Sequence, residues 1–216
     1  DFWVEPTRRN LAALKKALDA LHARQRFLPD PTLAHLRKGH GVHFVIPFRG
    51  VDYYVDILGK PPRVMSFRQA YESALTVSWR GLSLRVLDIP RLVETKKTNR
   101  ESDYLSIRLL AGMVFESARK EPRIDARNLT WLLKESRTPE HLLKIVLSWK
   151  GGRAAALASG REASILAAQG APKSAIQTAL DSEKAAYQKA NIEYWKPFIR
   201  ELKSMRKGRR KKPTGG

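Results

Sequence analysis

The stretch VHFVIPF-RG-VDYYVDIL, residues 42–58, decides the fold of the N-terminal part of this chain. It holds two runs of β-branched and aromatic residues, separated by the dipeptide Arg49-Gly50. A two-residue break between two such runs predicts a β-hairpin. Pro47 has no amide hydrogen to donate, so the first strand should lie at a sheet edge or bend there.

The second strand of this hairpin carries an acid in an awkward place. Successive side chains of a strand point to opposite faces, so Asp52, Tyr54 and Asp56 should share one face. The other face should hold Val51, Tyr53, Val55 and Ile57. Asp56 therefore lies in an otherwise apolar strand, where a carboxylate is costly unless it is solvated, paired or bound to a cation.

A similar acid, Asp1, directly precedes the apolar run Phe2-Trp3-Val4, which indicates the end of a strand. If that strand neighbours the one that bears Asp56, the two carboxylates come close together and need a counter-charge. The usual counter-charge is Mg²⁺, held by carboxylates and substrate phosphates. The alternative is that Asp1 is only a chain terminus and that Asp56 pairs with an arginine.

The rest of the chain predicts an α+β protein with a helical C-terminal region. A second hairpin is expected around Arg80-Gly81, and the rhythm of apolar residues from Thr7 onward predicts a helix. Pro197 should end or kink the last helix. The C-terminal helices are expected at 125–136, 138–149, 153–169 and 173–205, and core packing is expected for Trp79, Trp131, Trp149 and Trp195.

The composition narrows the classes of function. The chain has 216 residues and no cysteine, which excludes disulfides, thiol catalysis and cysteine-zinc sites. Its 41 Lys and Arg exceed its 21 Asp and Glu by 20, so a polyanionic partner such as nucleic acid, nucleotide phosphate or anionic lipid is expected. No apolar run is long enough to span a membrane and no signal-peptide pattern is present, which predicts a cytoplasmic protein without a membrane partner.

Two basic segments are further candidates for phosphate contacts. The tail RKGRRKKPTGG, residues 206–216, should be disordered when free and could give a steep salt dependence of binding to RNA or DNA. The segment HLRKGHGVH, residues 35–43, gathers three histidines and favours a basic loop near phosphate over a metal site. The predicted nucleic-acid-binding residues of the tail are Arg206, Lys207, Arg209, Arg210, Lys211 and Lys212.

DFWVEPTRRNLAALKKALDAL, residues 1–21, resembles a segment of the minimal nucleotidyltransferases of toxin–antitoxin and abortive-infection systems. In that family a strand of the approximate form T-x-D-[IL]-D-[FL]-[WL]-V leads into a helix with an Asn near its start, here Asn10. VDYYVDIL, residues 51–58, is similar to the family's strand with the third acid, which Asp56 matches. The resemblance covers about residues 1–115, and EYWKPFIREL, residues 193–202, looks like the family's closing helix.

A third block, residues 86–110, carries further matching positions. Lys96 or Lys97, Arg100 and Asp103 correspond to the family's K-x-x-x-x-R-x-x-D pattern, with one or two fewer residues between the lysine and the arginine. The resemblance implies that the lysine and Arg100 bind the nucleotide and that the lysine meets the charge of the leaving pyrophosphate. From spacing alone, Arg100 and Asp103 are either a surface ion pair or a clamp within the block.

The resemblance implies a nucleotidyltransferase-like mixed β-sheet flanked by helices. It assigns Asp1 and Asp56 as metal-binding catalytic acids for Mg²⁺, and it makes a nucleoside triphosphate the substrate and an RNA or protein hydroxyl the acceptor. The predicted organisation is a core at 1–119, a helical region at 120–205 and the basic tail at 206–216.

In the family, a Gly-Ser loop and a first acid precede the position of Asp1. We therefore expect further residues before Asp1 in the natural protein, and the enzyme activity depends on them. The alternatives are a non-catalytic nucleic-acid-binding protein and a module that binds an antitoxin through its helical half.

Overall fold

The computed structural model describes residues 1–121 and 123–210. The chain forms two compact units. The first unit consists of Asp1–Asp88 and the chain from Tyr194 onward, and it contains all the strands of the described residues. The second unit, Ile89–Glu193, is helical. The predicted α+β class is therefore confirmed.

The main sheet of the first unit has four strands in the order β1-β4-β3-β2. Strand β1 runs parallel to β4, whereas β3 is antiparallel to both of its neighbours. Helix α1 connects β1 to β2, and helix α2 precedes β3. The bounds are β1 Phe2–Trp3, α1 Arg8–Ala20, β2 Arg24–Gln25, α2 Leu33–Lys38, β3 Gly41–Phe48 and β4 Val51–Leu58.

The turn between β3 and β4 fixes the register of the sheet. Arg49 and Gly50 both have positive φ, 51° and 77°, as a two-residue type I′ turn requires. The turn pairs Phe48 with Val51, and the pairing continues without a bulge to Gly41 opposite Leu58. The hairpin predicted at this position is therefore present.

One face of this sheet forms the core of the first unit with α1 and α2. The buried members of this core are Leu18, Leu36, Val42, Phe44 and Ile57. Val51 and Tyr53 share the same strand face as Ile57, but both are exposed. The core therefore covers only the half of the hairpin that is far from the turn.

The second predicted hairpin is also present, as a separate two-stranded sheet of β5 (Leu75–Trp79) and β6 (Leu82–Val86). Helix α3, Phe67–Glu72, precedes it and begins with a capping box between Ser66 and Gln69. Every residue of β5 and β6 is exposed. The expected core packing of Trp79 is therefore wrong, since its side chain is 55% exposed.

Helices α4 to α10 build the second unit, and α10 continues into the first. The helices predicted at 125–136 and 138–149 are present within one residue at each end, whereas 153–169 forms two helices that separate at Gly160, where φ is 67°. Their bounds are α4 Ile89–Lys96, α5 Glu101–Ala118, α6 Ala126–Glu135, α7 Pro139–Ser148, α8 Gly152–Ala158, α9 Glu162–Gln169 and α10 Lys173–Arg210.

Helix α10 does not end at Pro197, where its end was one expectation. A proline removes only one helical hydrogen bond, the one to the carbonyl four residues earlier. The helix therefore continues on both sides of Pro197. It also extends to Arg210, into the segment expected to be disordered, because Arg and Lys are good helix formers. Across the described residues, the helices that are long enough to span a membrane are too polar to do so.

Candidate functional site

The register of β1 on β4 brings the two predicted acids together. Phe2 pairs with Ile57 and Trp3 with Leu58, so the preceding residues, Asp1 and Asp56, stand side by side. Neighbouring strands are about 4.8 Å apart, and residues in register on parallel strands share a face. The two carboxylates therefore lie on the sheet face opposite to the core, where ions from solvent can reach them.

Several contacts hold β1 in this register. The backbone amide of Val4 donates to the carbonyl of Leu58 at 2.8 Å, and the indole nitrogen of Trp3 donates to the carbonyl of Gly59 at 3.1 Å. The side chain of Asn10 donates to the carbonyl of Glu5 at 3.0 Å, which ties the start of α1 to the loop after β1. Asn10, which matches the asparagine noted in the family resemblance, thus stabilises the segment that carries Asp1.

His43 is the direct cross-strand partner of Asp56. Its Nδ1 lies 2.6 Å from Oδ1 of Asp56, and both side chains are half-exposed. The arginine partner considered as the alternative is found instead on Asp52, which Arg24 contacts at 3.3 Å. The carboxylate of Asp56 is therefore oriented by one imidazole and remains accessible to a ligand.

Sequence reasoning missed this role of His43, although the signal was present. A two-residue turn at Arg49-Gly50 with no bulge pairs position 43 with position 56. The other two histidines of the segment lie elsewhere: His35 contacts the carbonyl of Asp30 at 2.8 Å, and buried His40 contacts Glu201 at 3.0 Å. The rings of His35 and His40 also contact each other, with 5.4 Å between their centres, whereas His43 contacts Asp56. The basic loop near phosphate stays a prediction.

The same sheet face continues with aromatic and cationic side chains. The guanidinium of Arg26 lies 4.5 Å from the ring centre of Tyr54 and 4.8 Å from that of Phe27. The ring of Phe27 in turn contacts that of His43, at 5.9 Å between centres. The face that bears Asp56 thus changes within a few residues from acidic to aromatic and basic.

In the second unit, Asp103 is the centre of the predicted lysine–arginine block. Its buried carboxylate accepts from Lys96 at 3.2 Å, from Arg100 at 2.9 Å and from the hydroxyl of Thr98 at 2.5 Å. Burial alone would raise the pKa of Asp103, but the bonds from Thr98 and Lys96 and the nearby cations outweigh it, so the pKa is lowered. Arg100 and Asp103 therefore belong to a clamp and are not an ordinary surface pair.

The other predicted lysine, Lys97, has a different environment. It is buried, and its ammonium contacts Glu94 at 2.7 Å and Glu135 at 2.8 Å. The ammonium of Lys97 is therefore paired with two carboxylates and inaccessible to a nucleotide phosphate. Of the two lysines left open by the sequence, the geometry favours Lys96, whose side chain is 31% exposed.

The basic tail is described in part. Arg206 and Lys207 are exposed on the last turns of α10. The side chains of Arg209 and Arg210, and all of Lys211 and Lys212, lie outside the described residues, so their predicted contacts stay predictions.

The donor set at Asp1 and Asp56 fits a magnesium ion. Mg²⁺ takes oxygen ligands and is usually bound by one or two carboxylates, with substrate phosphates and water in the remaining positions. Within residues 1–121 and 123–210, no three His, Cys, Asp or Glu side chains gather to hold a metal by themselves. If an ion bound at the two acids, its remaining ligands would have to come from outside these side chains, such as phosphate oxygens or water.

Comparisons of the chain with family models, with curated proteins and with solved structures find no match. The nucleotidyltransferase resemblance thus rests on the residues described above.

Proposed function

We propose that the first unit is a nucleotidyltransferase-like core that binds a nucleoside triphosphate with Mg²⁺ at Asp1 and Asp56. The observation that supports this proposal is the strand register, which places these two acids side by side on the open face of the sheet. Two neighbouring carboxylates whose described partner is one half-exposed histidine favour the binding of a cation, and a magnesium–triphosphate complex supplies one.

Each residue of the site has a separate task in this proposal. Asp1 and Asp56 hold the ion, which when bound offsets the charge of the triphosphate and of the departing pyrophosphate. His43 orients the carboxylate of Asp56 through the 2.6 Å contact and acts as a positioning residue. The acceptor that we propose is the hydroxyl of an RNA or of a protein, for which Asp56 is the nearby base.

The experiment that tests this function is isothermal titration calorimetry of the full chain with each of the four nucleoside triphosphates, with and without Mg²⁺. We expect heat of binding that depends on Mg²⁺ and that Asp56→Asn removes. Asp52→Asn is the matched control, since Asp52 lies four residues away on the same strand face and pairs with Arg24. His43→Asn should weaken the magnesium-dependent binding about 10-fold or more, as changes in ligand-orienting residues do.

Two results would contradict the proposal. One is the absence of magnesium-dependent binding for all four triphosphates. The other is equal weakening by Asp56→Asn and Asp52→Asn, which would assign the effect to the general charge of the sheet face.

A further inference from the structure

The two hairpins of the first unit end in the same four-residue pattern. The first tip is Phe48-Arg49-Gly50-Val51, and the second is Trp79-Arg80-Gly81-Leu82. Both turns have positive φ at the arginine, 51° and 49°, and at the glycine that follows, 77° and 78°. In both, the arginine guanidinium lies over the preceding aromatic ring, at 5.2 Å from Phe48 and 5.0 Å from Trp79.

Both tips are exposed, and Asp52, which follows the first tip directly, pairs with Arg24. Phe48, Val51, Trp79 and Leu82 each expose more than half of their side-chain surface. The second hairpin has no acidic residue between positions 74 and 87, where Arg80 and Arg85 are the charged residues. Its pairing places six exposed apolar side chains on one face: Leu75, Val77, Trp79, Leu82, Leu84 and Val86.

The arginine at each tip is not explained by the turn. The first position of a type I′ turn prefers Asn, Asp or Gly, because other side chains are strained at positive φ. Among the described residues, neither Arg49 nor Arg80 forms an ion pair or a hydrogen bond. A strained cation stacked on an exposed ring, repeated at two tips, indicates that the side chains serve binding.

We propose that the two aromatic–arginine–glycine tips bind single-stranded nucleic acid. Nucleobases would stack on the exposed rings of Phe48 and Trp79, and the guanidinium groups of Arg49 and Arg80 would contact phosphates or extend the stack. Proteins that bind single strands combine aromatic platforms with positive charge in this way. The chain's excess of 20 positive charges favours the same polyanionic partner.

The order of residues at the tips favours nucleic acid over an anionic membrane. A membrane-inserting loop places apolar residues outermost and cations behind them, so that the cations meet the headgroups. Here the arginine and glycine occupy the turn, and the aromatic residue lies behind them at the strand end. The residues of the turn itself therefore include a cation and no large apolar side chain, which suits a phosphate backbone.

This inference does not rest on the proposed nucleotide chemistry. It uses neither Asp1 nor Asp56, and it holds for a catalytic protein and for a non-catalytic one. If both proposals hold, the nucleic acid at the tips belongs to the acceptor.

The test is fluorescence anisotropy of a labelled 20-nucleotide oligouridylate titrated with the full chain. We expect Trp79→Ala and Phe48→Ala each to weaken binding about 10-fold or more, because a lost base–aromatic stack has an effect of this size. Trp79→Phe keeps a ring and should bind nearly as the natural chain does. Leu147→Ala, which removes an apolar side chain that is 82% exposed in the second unit, is the matched control and should have no effect.

A second set of variants separates binding from folding. Arg49→Asn and Arg80→Asn introduce the preferred type I′ residue, so Tm should stay equal or rise while the affinity falls. Each should also reduce the salt slope of log K by about 0.7, the value for one phosphate contact on a single strand. Arg127→Gln and Lys189→Gln, two exposed helical cations, remove the same charge and should leave the affinity nearly unchanged.

Three results would overturn the proposal. The first is unchanged oligouridylate binding in the two alanine variants, Phe48→Ala and Trp79→Ala, and in the two asparagine variants, Arg49→Asn and Arg80→Asn. The second is an equal loss in the Arg127→Gln and Lys189→Gln controls, which would assign binding to net charge. The third is that the tip variants lose binding to vesicles of phosphatidylglycerol but keep their binding to oligouridylate. The oligouridylate titration uses neither a nucleoside triphosphate nor Mg²⁺, so failure of the nucleotide proposal would not affect this result.

Discussion

Two acids, Asp56 in the first unit and Glu135 in the second, have opposite environments. Asp56 is 44% exposed and contacts one partner, His43. Glu135 is completely buried and contacts Lys97 at 2.8 Å and Arg137 at 2.7 Å. The same chemical group is therefore open to a ligand in one unit and committed to structure in the other.

The buried cluster shows why this difference arises. Arg137 also contacts Glu183 at 2.8 Å, and Arg161 contacts the same glutamate at 2.8 Å. Arg161 additionally donates to the carbonyls of Leu133 and Ser136. A charge without water must have its partners within the protein, whereas a half-exposed charge can take a ligand in their place. Partial pairing at an accessible position is thus the property that distinguishes a candidate site here.

The largest effect is expected when the buried cluster loses its central acid. Glu135→Gln should lower the free energy of unfolding by about 3–5 kcal/mol, because Lys97 and Arg137 lose a buried negative partner. Urea denaturation followed by circular dichroism measures this. Glu140→Gln is the control, since Glu140 and Lys173 form an exposed pair. Similar urea midpoints for the two variants would contradict the distinction between buried and exposed acids.

The adjacent residues Lys96 and Lys97 offer the same comparison between a partly exposed and a buried charge. Lys97→Met should cost about 1–3 kcal/mol of unfolding free energy, since the buried carboxylate of Glu135 loses a donor. Lys96→Met should cost less than about 1 kcal/mol, because that side chain is partly exposed. In calorimetry with Mg²⁺ and triphosphate, the folded Lys96 variant should bind more weakly and the folded Lys97 variant should not. The reverse pattern would contradict the preference for Lys96.

The buried cluster should also make stability depend on acidity. Burial alone would raise the pKa of Glu183, but Arg161 and Arg137 outweigh it and hold the pKa below the ordinary value of 4.5. The unfolded chain therefore takes up this proton first, and the stabilisation is present above pH 4.5 and lost as the pH falls through the folded-state pKa. The slope is at most about 1.4 kcal/mol per pH unit for each proton. Urea titrations between pH 3 and pH 6 should show a shallower slope for Glu183→Gln, and an unchanged slope would exclude Glu183 as a source.

The smallest effect on stability is expected at the candidate site itself. Asp56→Asn should change the free energy of unfolding by less than about 1 kcal/mol, since half-exposed pairs contribute little. The same urea measurement checks this. A loss comparable to that of Glu135→Gln would make Asp56 a structural residue and remove the contrast between the two units.

Much of the first unit could be predicted from sequence because its signals are local. The two hairpins follow from their Arg-Gly turns, and the pairing of Asp56 with an adjacent strand follows from the apolar run after Asp1. The partner of Asp56 was predictable too, since the turn fixes the register, but that step needs the absence of a bulge.

The remainder depends on contacts between distant positions. The residues around Lys97 include Glu135 and Tyr187, which lie far from it in sequence, so its spacing in the K-K pair gave no sign of its burial. The exposure of Trp79 was missed because a tryptophan in an apolar strand is usually covered by another layer. Helix α10 passes Pro197 since the rest of the helix outweighs one lost hydrogen bond.

The two-residue turn at Arg49-Gly50 has a consequence for how this chain can vary in evolution. A substitution at the tip changes one side chain, whereas insertion of a single residue would shift the pairing by one position. Because strand side chains alternate with a period of two, His43 and Asp56 would then face opposite sides of the sheet. Relatives of this protein should therefore keep the length of the turn.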